Sequence, residues 1–369
     1  MVKRKSAMEK LVIAKPAQID AAYWKGRRVL VTGHSGFKGS WLTIWLNQLG
    51  SQITGLGLTP SSDPTLFELA KISELCESHF VDIRDVSKLN AVVKQTQPEV
   101  VFHLAAQALV RQGYRDPLET FATNTMGTAN VLESLRSTSS VKAVVMVTTD
   151  KVYRNNESLR PYKEQDVLGG YDPYSASKSA SELIIDCYRN SFLTAQGISV
   201  ASARAGNVIG GGDWATDRLI PDAIRAWSAK QILGLRHPES IRPWQHVLEP
   251  LKGYVILAQH LATSPEFASA FNFGPEFNEA ASVRRVIEIA QSSWSGAKVE
   301  WRAGTAQVHE AEYLRLDTSK ACEVLGVQST WGIDKAVKRT VAWYRNQGQG
   351  ESAITLCQND IKDFEIDTK

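Results

Sequence analysis

From Arg28 onward the chain repeats one pattern: a short apolar or β-branched run, a turn, then a longer stretch whose apolar residues recur three and four apart. Short buried strands and amphipathic helices generate these two periods, so their alternation predicts βαβ units around a parallel sheet. The predicted strands are 28–32, 52–56, 79–81, 99–104, 143–147 and 199–203, and the predicted helices are 36–49, 86–95, 117–136 and 171–195. The fold class that follows is α/β: a doubly wound parallel sheet of Rossmann type with a smaller α/β substrate-binding domain. After Arg204 the alternation gives way to a glycine-rich loop, GNVIGGGDW (206–214), and then to shorter mixed elements up to about Gln349. The pattern assigns 22–204 to the nucleotide-binding domain, with a returning segment at 243–265. It assigns 205–242 and 266–349 to the substrate domain. Residues 1–21 read as a mobile tail and 350–369 as a frayed one, since NDIKDFEIDTK is polar and acidic with little periodicity.

Composition narrows the class of protein. Of 369 residues 43% are hydrophobic and 22% charged, and the net charge of +3 lacks the cationic excess of a general nucleic-acid binder. No nucleic-acid partner is expected. The four cysteines have no CxxC spacing, which predicts reduced packing residues in a cytoplasmic compartment, with neither metal site nor disulfide framework. The basic amino terminus lacks a signal peptide's apolar run, and no stretch approaches the roughly 20 apolar residues of a membrane span.

Candidate chemistry begins at the first strand. Arg28–Thr32 runs into Gly33-His34-Ser35-Gly36-Phe37-Lys38-Gly39 and then a helical pattern. In such a strand–turn–helix the first glycine permits the sharp turn, the second admits a diphosphate to the backbone and the third lets helix pack on strand. Amides at the helix start attract the anion. The acidic residue that usually ends the second strand and binds a ribose is missing from Gly55-Leu56-Gly57-Leu58-Thr59, and no arginine replaces it, so this position leaves NAD and NADP open. Asp82, after the third strand, reads equally as an adenine contact or a helix cap.

Tyr174-Ser175-Ala176-Ser177-Lys178 sets a tyrosine and a lysine one helical turn apart on one face. A nearby ammonium favours the phenolate, so the pair is expected to lower the tyrosine pKa and take a proton from a hydroxyl. Thr148-Thr149-Asp150-Lys151 follows the fifth strand and emerges at the carboxyl edge of the sheet, where doubly wound folds hold ligands.

TGxxGxxG, HLAAQ (103–107), NTMGT (124–128), TTDKVY (148–153) and YSASK (174–178) resemble the extended short-chain dehydrogenase/reductases that act on nucleotide sugars, over roughly residues 22–345. Within that superfamily GHSGFKGSWL (33–42), Thr-Asp-Lys where related dehydratases carry Thr-Asp-Glu, and GNVIGGGDW resemble the CDP-D-glucose 4,6-dehydratases. The resemblance implies NAD, held by Gly33, Ser35, Gly36, Phe37, Gly39, Asp82, Ile83, Leu104, Ala105, Ala106, Asn124 and Thr148 together with Tyr174 and Lys178. It implies catalysis by Thr149, Asp150, Lys151, Tyr174 and Lys178. CDP-glucose would lie on Gln107, Arg111, Arg204, Asn207, Arg242 and His309, with Glu310 nearby and Trp214 or Trp244 flanking the pyrimidine. For Arg204 a stem packed on the core is an equal reading. Asp150 points to elimination, since epimerases of this fold usually carry no acid there. Lys151 reads either as a base with a depressed pKa or as a group that positions Asp150 or stabilises an enolate. Rival readings are a C4 epimerase, a dehydratase for another nucleotide, and a nicotinamide-sensing regulator. The family also implies a homodimer, or a dimer of dimers, through the helices at 117–136 and 171–195.

Overall fold

The computed structural model describes residues 16–60, 64–157, 160–235, 237–276, 279–301 and 313–369. Seven strands form the main sheet: β1 Arg28–Thr32, β2 Gln52–Gly57, β3 Glu77–Phe80, β4 Val100–His103, β5 Ala143–Val147, β6 Ser199–Ala205 and β7 Ala270–Phe273. All pair in parallel, in the order β7-β6-β5-β4-β1-β2-β3. The chain runs outward from β1 in one direction through β2 and β3, and then restarts on its other side at β4. That reversal opens a crevice at the carboxyl ends of β1 and β4, where such sheets bind ligands.

The helices that matter here are α1 Phe37–Gln48, α2 Val86–Thr96, α3 Gly127–Leu135, α4 Pro173–Tyr188, α5 Leu248–Thr263, α6 Ile333–Gly348 and α7 Ala353–Asp367. Two buried clusters flank the sheet: Trp41, Trp45, Val145, Leu251 and Phe271 belong to one, and Leu30, Val101, Leu132 and Ile185 to the other. β5 is buried along its whole length, which is why its sequence, AVVMV, is continuously apolar rather than alternating. None of the described helices is long and apolar enough to cross a membrane.

Four differences from the sequence reading have physical causes. β7 joins the main sheet beside β6, although its segment was assigned to the substrate domain; its alternation is too short to announce a strand. The predicted helix at 117–136 is broken by a π-helical turn at Ala122–Met126, which holds Asn124 against the loop after β4. The helix predicted at 171–195 is regular only from Pro173 to Tyr188, capped by Asp172, which accepts from the Ser175 amide at 3.0 Å, and then passes into π and 3₁₀ turns.

The carboxyl terminus is the fourth. It is no frayed tail, because α7 buries Ala353, Leu356, Cys357, Ile361 and Phe364 at helical spacing. The Phe364 ring meets Trp331 at 5.1 Å and Trp45 at 6.0 Å, both edge-on, and Trp45 Nε1 donates to Glu365 Oε1 at 2.8 Å. Phe364→Ala removes the ring that joins α7 to α1 and is expected to destabilise the fold by about 3–5 kcal/mol, read from denaturant unfolding. The end of the amino-terminal stretch is also docked, since the Ala17 amide donates to the Gly326 carbonyl at 3.0 Å.

Candidate active site

The crevice is a cleft of about 1190 Å³. Its floor is the glycine turn between β1 and α1. Gly33 has φ +77°, and a Cβ there would stand 2.7 Å from the Ala105 amide nitrogen. At Gly39 a Cβ would lie 2.0 Å from the Gly33 carbonyl oxygen, so only glycine lets α1 pack this closely on the turn. Gly36 is exposed and meets nothing nearer than 3.3 Å, leaving room above it, and no side chain caps the start of α1. An uncapped helix start beneath open space fits a diphosphate.

The second strand carries no acid because its glycines make room for the turn. A Cβ at Gly55 would meet the His34 ring at 2.2 Å, and one at Gly57 would meet Ser35 Oγ at 3.0 Å. Asp82 lines the cleft and is gripped by Arg84 at 2.6 Å, which holds its carboxyl below the usual range. The cap of α2 is Asp85, which accepts from the Lys88 amide at 3.1 Å, so the capping alternative for Asp82 falls away.

Most of the residues singled out from the sequence meet at this cleft. Its walls include Gly33, Ser35, Gly36, Phe37, Gly39, Ile83, Leu104, Ala105, Ala106, Gln107, Arg111, Thr148, Thr149, Asp150, Lys151, Tyr174, Lys178, Asn207, Arg242, Trp214 and Trp244. Arg111 pairs with Asp217 at 2.7 Å, across from the loop that follows the glycine-rich segment.

Two residues lie elsewhere. Arg204 is turned into the interior, where it is 4% exposed and forms a forked pair with Glu182 at 2.8 and 3.0 Å. It also donates to the Tyr153 hydroxyl at 2.9 Å, and Thr148 and Ser202 complete the shell of Glu182. Its task in this geometry is structural, not substrate contact. Arg204→Ala strands a buried carboxylate and is expected to lower stability by about 3–5 kcal/mol in urea unfolding. Asn124 is buried too, and its amide ties the Gln107 backbone to Ser177. His309 and Glu310 lie outside the described residues.

At the reacting end, Thr149 Oγ1 donates to Asp150 Oδ1 at 2.9 Å, while Asp150 Oδ2 is buried with no hydrogen-bond partner among the described residues. Burial raises the Asp150 pKa against the pull of Lys151, Thr149, Arg242 and Lys38. That bias favours the protonated acid. Lys178 reaches the Val147 carbonyl at 3.4 Å, and burial lowers its pKa to about 8. Tyr174 reverses the sequence expectation: burial pushes it up to about 12, opposed mainly by the nearby Thr149 hydroxyl. The groups that oppose burial are the Thr149 hydroxyl and Arg218, so the helical spacing that pairs the tyrosine with Lys178 does not set its pKa.

Sequence reasoning also passed over Lys38, Asp213 and Arg218, all of which line the cleft. Lys38 was hidden as a variable position between two glycines.

The GDP-mannose 4,6 dehydratase family model matches residues 30–340. Over 94% of this chain and 98% of its own length, the CDP-glucose 4,6-dehydratase of Salmonella typhimurium is 45% identical. The chain belongs to the GDP-mannose 4,6 dehydratase family. Epimerases share its scaffold at greater distance: the UDP-glucose 4-epimerase of Mycoplasma pneumoniae is 26% identical over 86% of this chain and 97% of its own. Among solved structures, the dTDP-glucose 4,6-dehydratase of Streptomyces venezuelae with NAD bound superposes with a TM-score of 0.75 at 24% identity, covering 89% of this chain and all of that one.

Proposed function

We propose that this chain is an NAD-dependent CDP-glucose 4,6-dehydratase, converting CDP-D-glucose to CDP-4-keto-6-deoxy-D-glucose and water. The observation that carries the reading is Asp150, a buried acid biased toward its neutral form, directly after Thr149 and at the same end of the cleft as Tyr174 and Lys178. Sugar oxidation alone needs no such acid, whereas expelling a hydroxyl does.

Gly33, Gly36, Gly39 and the start of α1 hold the cofactor's diphosphate, and Lys178 lies beside the reacting centre. Bound NAD supplies reversible storage of the hydride that leaves C4 of the sugar and later returns to C6. Tyr174 takes the proton of the 4-hydroxyl as the ketone forms. The ketone acidifies the C5 proton, and Lys151, at the strand end beside Asp150, takes that proton as its free amine, stabilises the enolate as the resulting ammonium, and holds the proton until it returns to C5. Asp150 then gives its proton to the departing 6-hydroxyl as water. C5 regains a proton when the hydride reaches C6. Each cycle leaves Tyr174 protonated and Asp150 ionised, so one proton must pass from phenol to carboxylate. Thr149, already bonded to Asp150 Oδ1, is placed to relay it.

The nucleotide preference follows the 45% identity to the Salmonella enzyme. Offered CDP-, dTDP-, UDP- and GDP-glucose, the protein is expected to dehydrate the CDP-sugar with the highest kcat/KM; equal rates on all four would overturn the preference. The exposed Leu118, Met126 and Leu183 support a homodimer through the helices that bear them. The cysteines, all unpaired, fit a cytoplasmic setting.

A further inference from the structure

We propose that Lys38 is a further binding residue of the cleft, a charge partner of the bound dinucleotide that takes up a proton as the dinucleotide enters. The inference rests on the reading that this cleft holds NAD, whose only anionic group is its diphosphate.

Lys38 stands on the first turn of α1, between the room above Gly36 and the close contact at Gly39. Its half-buried side chain lines the cleft, with the ammonium 6.0 Å from the centroid of the buried Tyr254 ring. Among the described residues no hydrogen-bond acceptor meets that ammonium. The charges facing it come from four elements. Lys178 on α4 and Arg218, just before the helix Leu219–Ser228, repel it, while Asp150 after β5 and Asp213 in the glycine-rich loop attract it.

Neither acid hydrogen-bonds the ammonium. Asp150 gives one oxygen to Thr149, and Asp213 accepts from the Ala215 amide at 3.1 Å and faces Arg218 at 3.6 Å. Tyr174 and Tyr254, the other titratable groups at this end, are both pushed upward by burial and stay neutral near pH 7. Burial first, and the two cations next, lower Lys38 to about 7. A diphosphate reverses that balance by bringing negative charge into a site of low dielectric, which favours the ammonium. An amine largely neutral at pH 8 then acquires a proton from the buffer, and no other bond changes. The two buried histidines nearest the turn, His34 and His103, are lowered to about 4 and about 3 and take no part at this pH.

The test is calorimetric titration of NAD into the full chain, freed of carried-over nucleotide, in two buffers of different ionisation heat. At pH 8 the heats should differ by the equivalent of roughly one proton taken up, and the difference should vanish toward pH 6, where Lys38 is already charged. Lys178, lowered to about 8, contributes a share of its own, so the decisive comparison is with variants. Lys38→Arg keeps a permanent charge: it should bind NAD within about threefold of the parent yet lose the Lys38 share of the uptake. Lys38→Met should lose the same share and bind about tenfold more weakly.

A purely structural lysine would not separate affinity from proton uptake in this way. Unchanged uptake in both variants, or parental affinity in Lys38→Met, would overturn the proposal. So would uptake that accompanies CDP-glucose instead of NAD. Failure of the parent to bind NAD at all would overturn the cofactor reading itself, an outcome distinct from binding without Lys38-linked uptake.

Discussion

Tyr174→Phe lowers kcat by about 10³-fold while NAD still binds, the range expected when a positioned acid–base group is removed. Phenylalanine keeps the buried ring at the start of α4, so the Asp172 cap and the packing against Gly113 survive, and only the hydroxyl is lost. A phenol pushed up to about 12 is neutral at pH 7 and is a weak base until something favours its anion. The positive charge of an oxidised nicotinamide does so. Oxidation at C4 should therefore quicken with rising pH, as the phenolate fraction grows. Single-turnover measurement of cofactor reduction across pH 6–10 checks the sign. An undiminished rate in Tyr174→Phe would remove the tyrosine from the chemistry.

The second large effect falls on the opposite half of the reaction. Asp150→Asn keeps the size of the side chain and an acceptor for the Thr149 hydroxyl but has no proton to give. Elimination should slow by about 10²–10⁴-fold with C4 oxidation intact, so reduced cofactor and the 4-ketone accumulate. In the parent, burial raises Asp150, and the acid is lost as pH climbs through that raised value. The pH dependence of elimination thus falls where that of oxidation rises, and the overall profile is bell-shaped. Rapid-quench product analysis separates the halves. If Asp150→Asn slows both equally, the carboxyl acts before elimination.

The order in which these features became legible follows their physics. The inner strands of the main sheet announce themselves because a parallel strand buried on both faces must be apolar throughout, as Ala143–Val147 is, whereas β3, half-exposed at one edge, was legible only in part. The seventh, Ala270–Phe273, is four residues at the sheet edge and left no comparable trace. The glycine turn was legible because two of its backbone approaches, at Gly33 and Gly39, admit no Cβ. Arg204 was not, since a strand buried on both sides does not reveal which way an arginine turns. Its partner Glu182 lies two turns beyond Tyr174 on the same helix, a clue that only the folded chain interprets. The buried positions of α7 do recur three and four apart, from Ala353 to Phe364, but acidic and amide residues between them masked the stripe. Electrostatics were least legible: helical spacing suggested a phenol lowered by Lys178, whereas the desolvation that raises it depends on every wall of the cleft.

The proposed dehydration moves one hydride from C4 to C6 of a single sugar molecule. CDP-D-glucose carrying deuterium at C4, turned over in ordinary water, tests this most directly. The label should appear at C6 of the 4-keto-6-deoxy product, with at most trace loss to solvent. Label retained at C4, as in an epimerised or unreacted sugar, or washed out into water would contradict it.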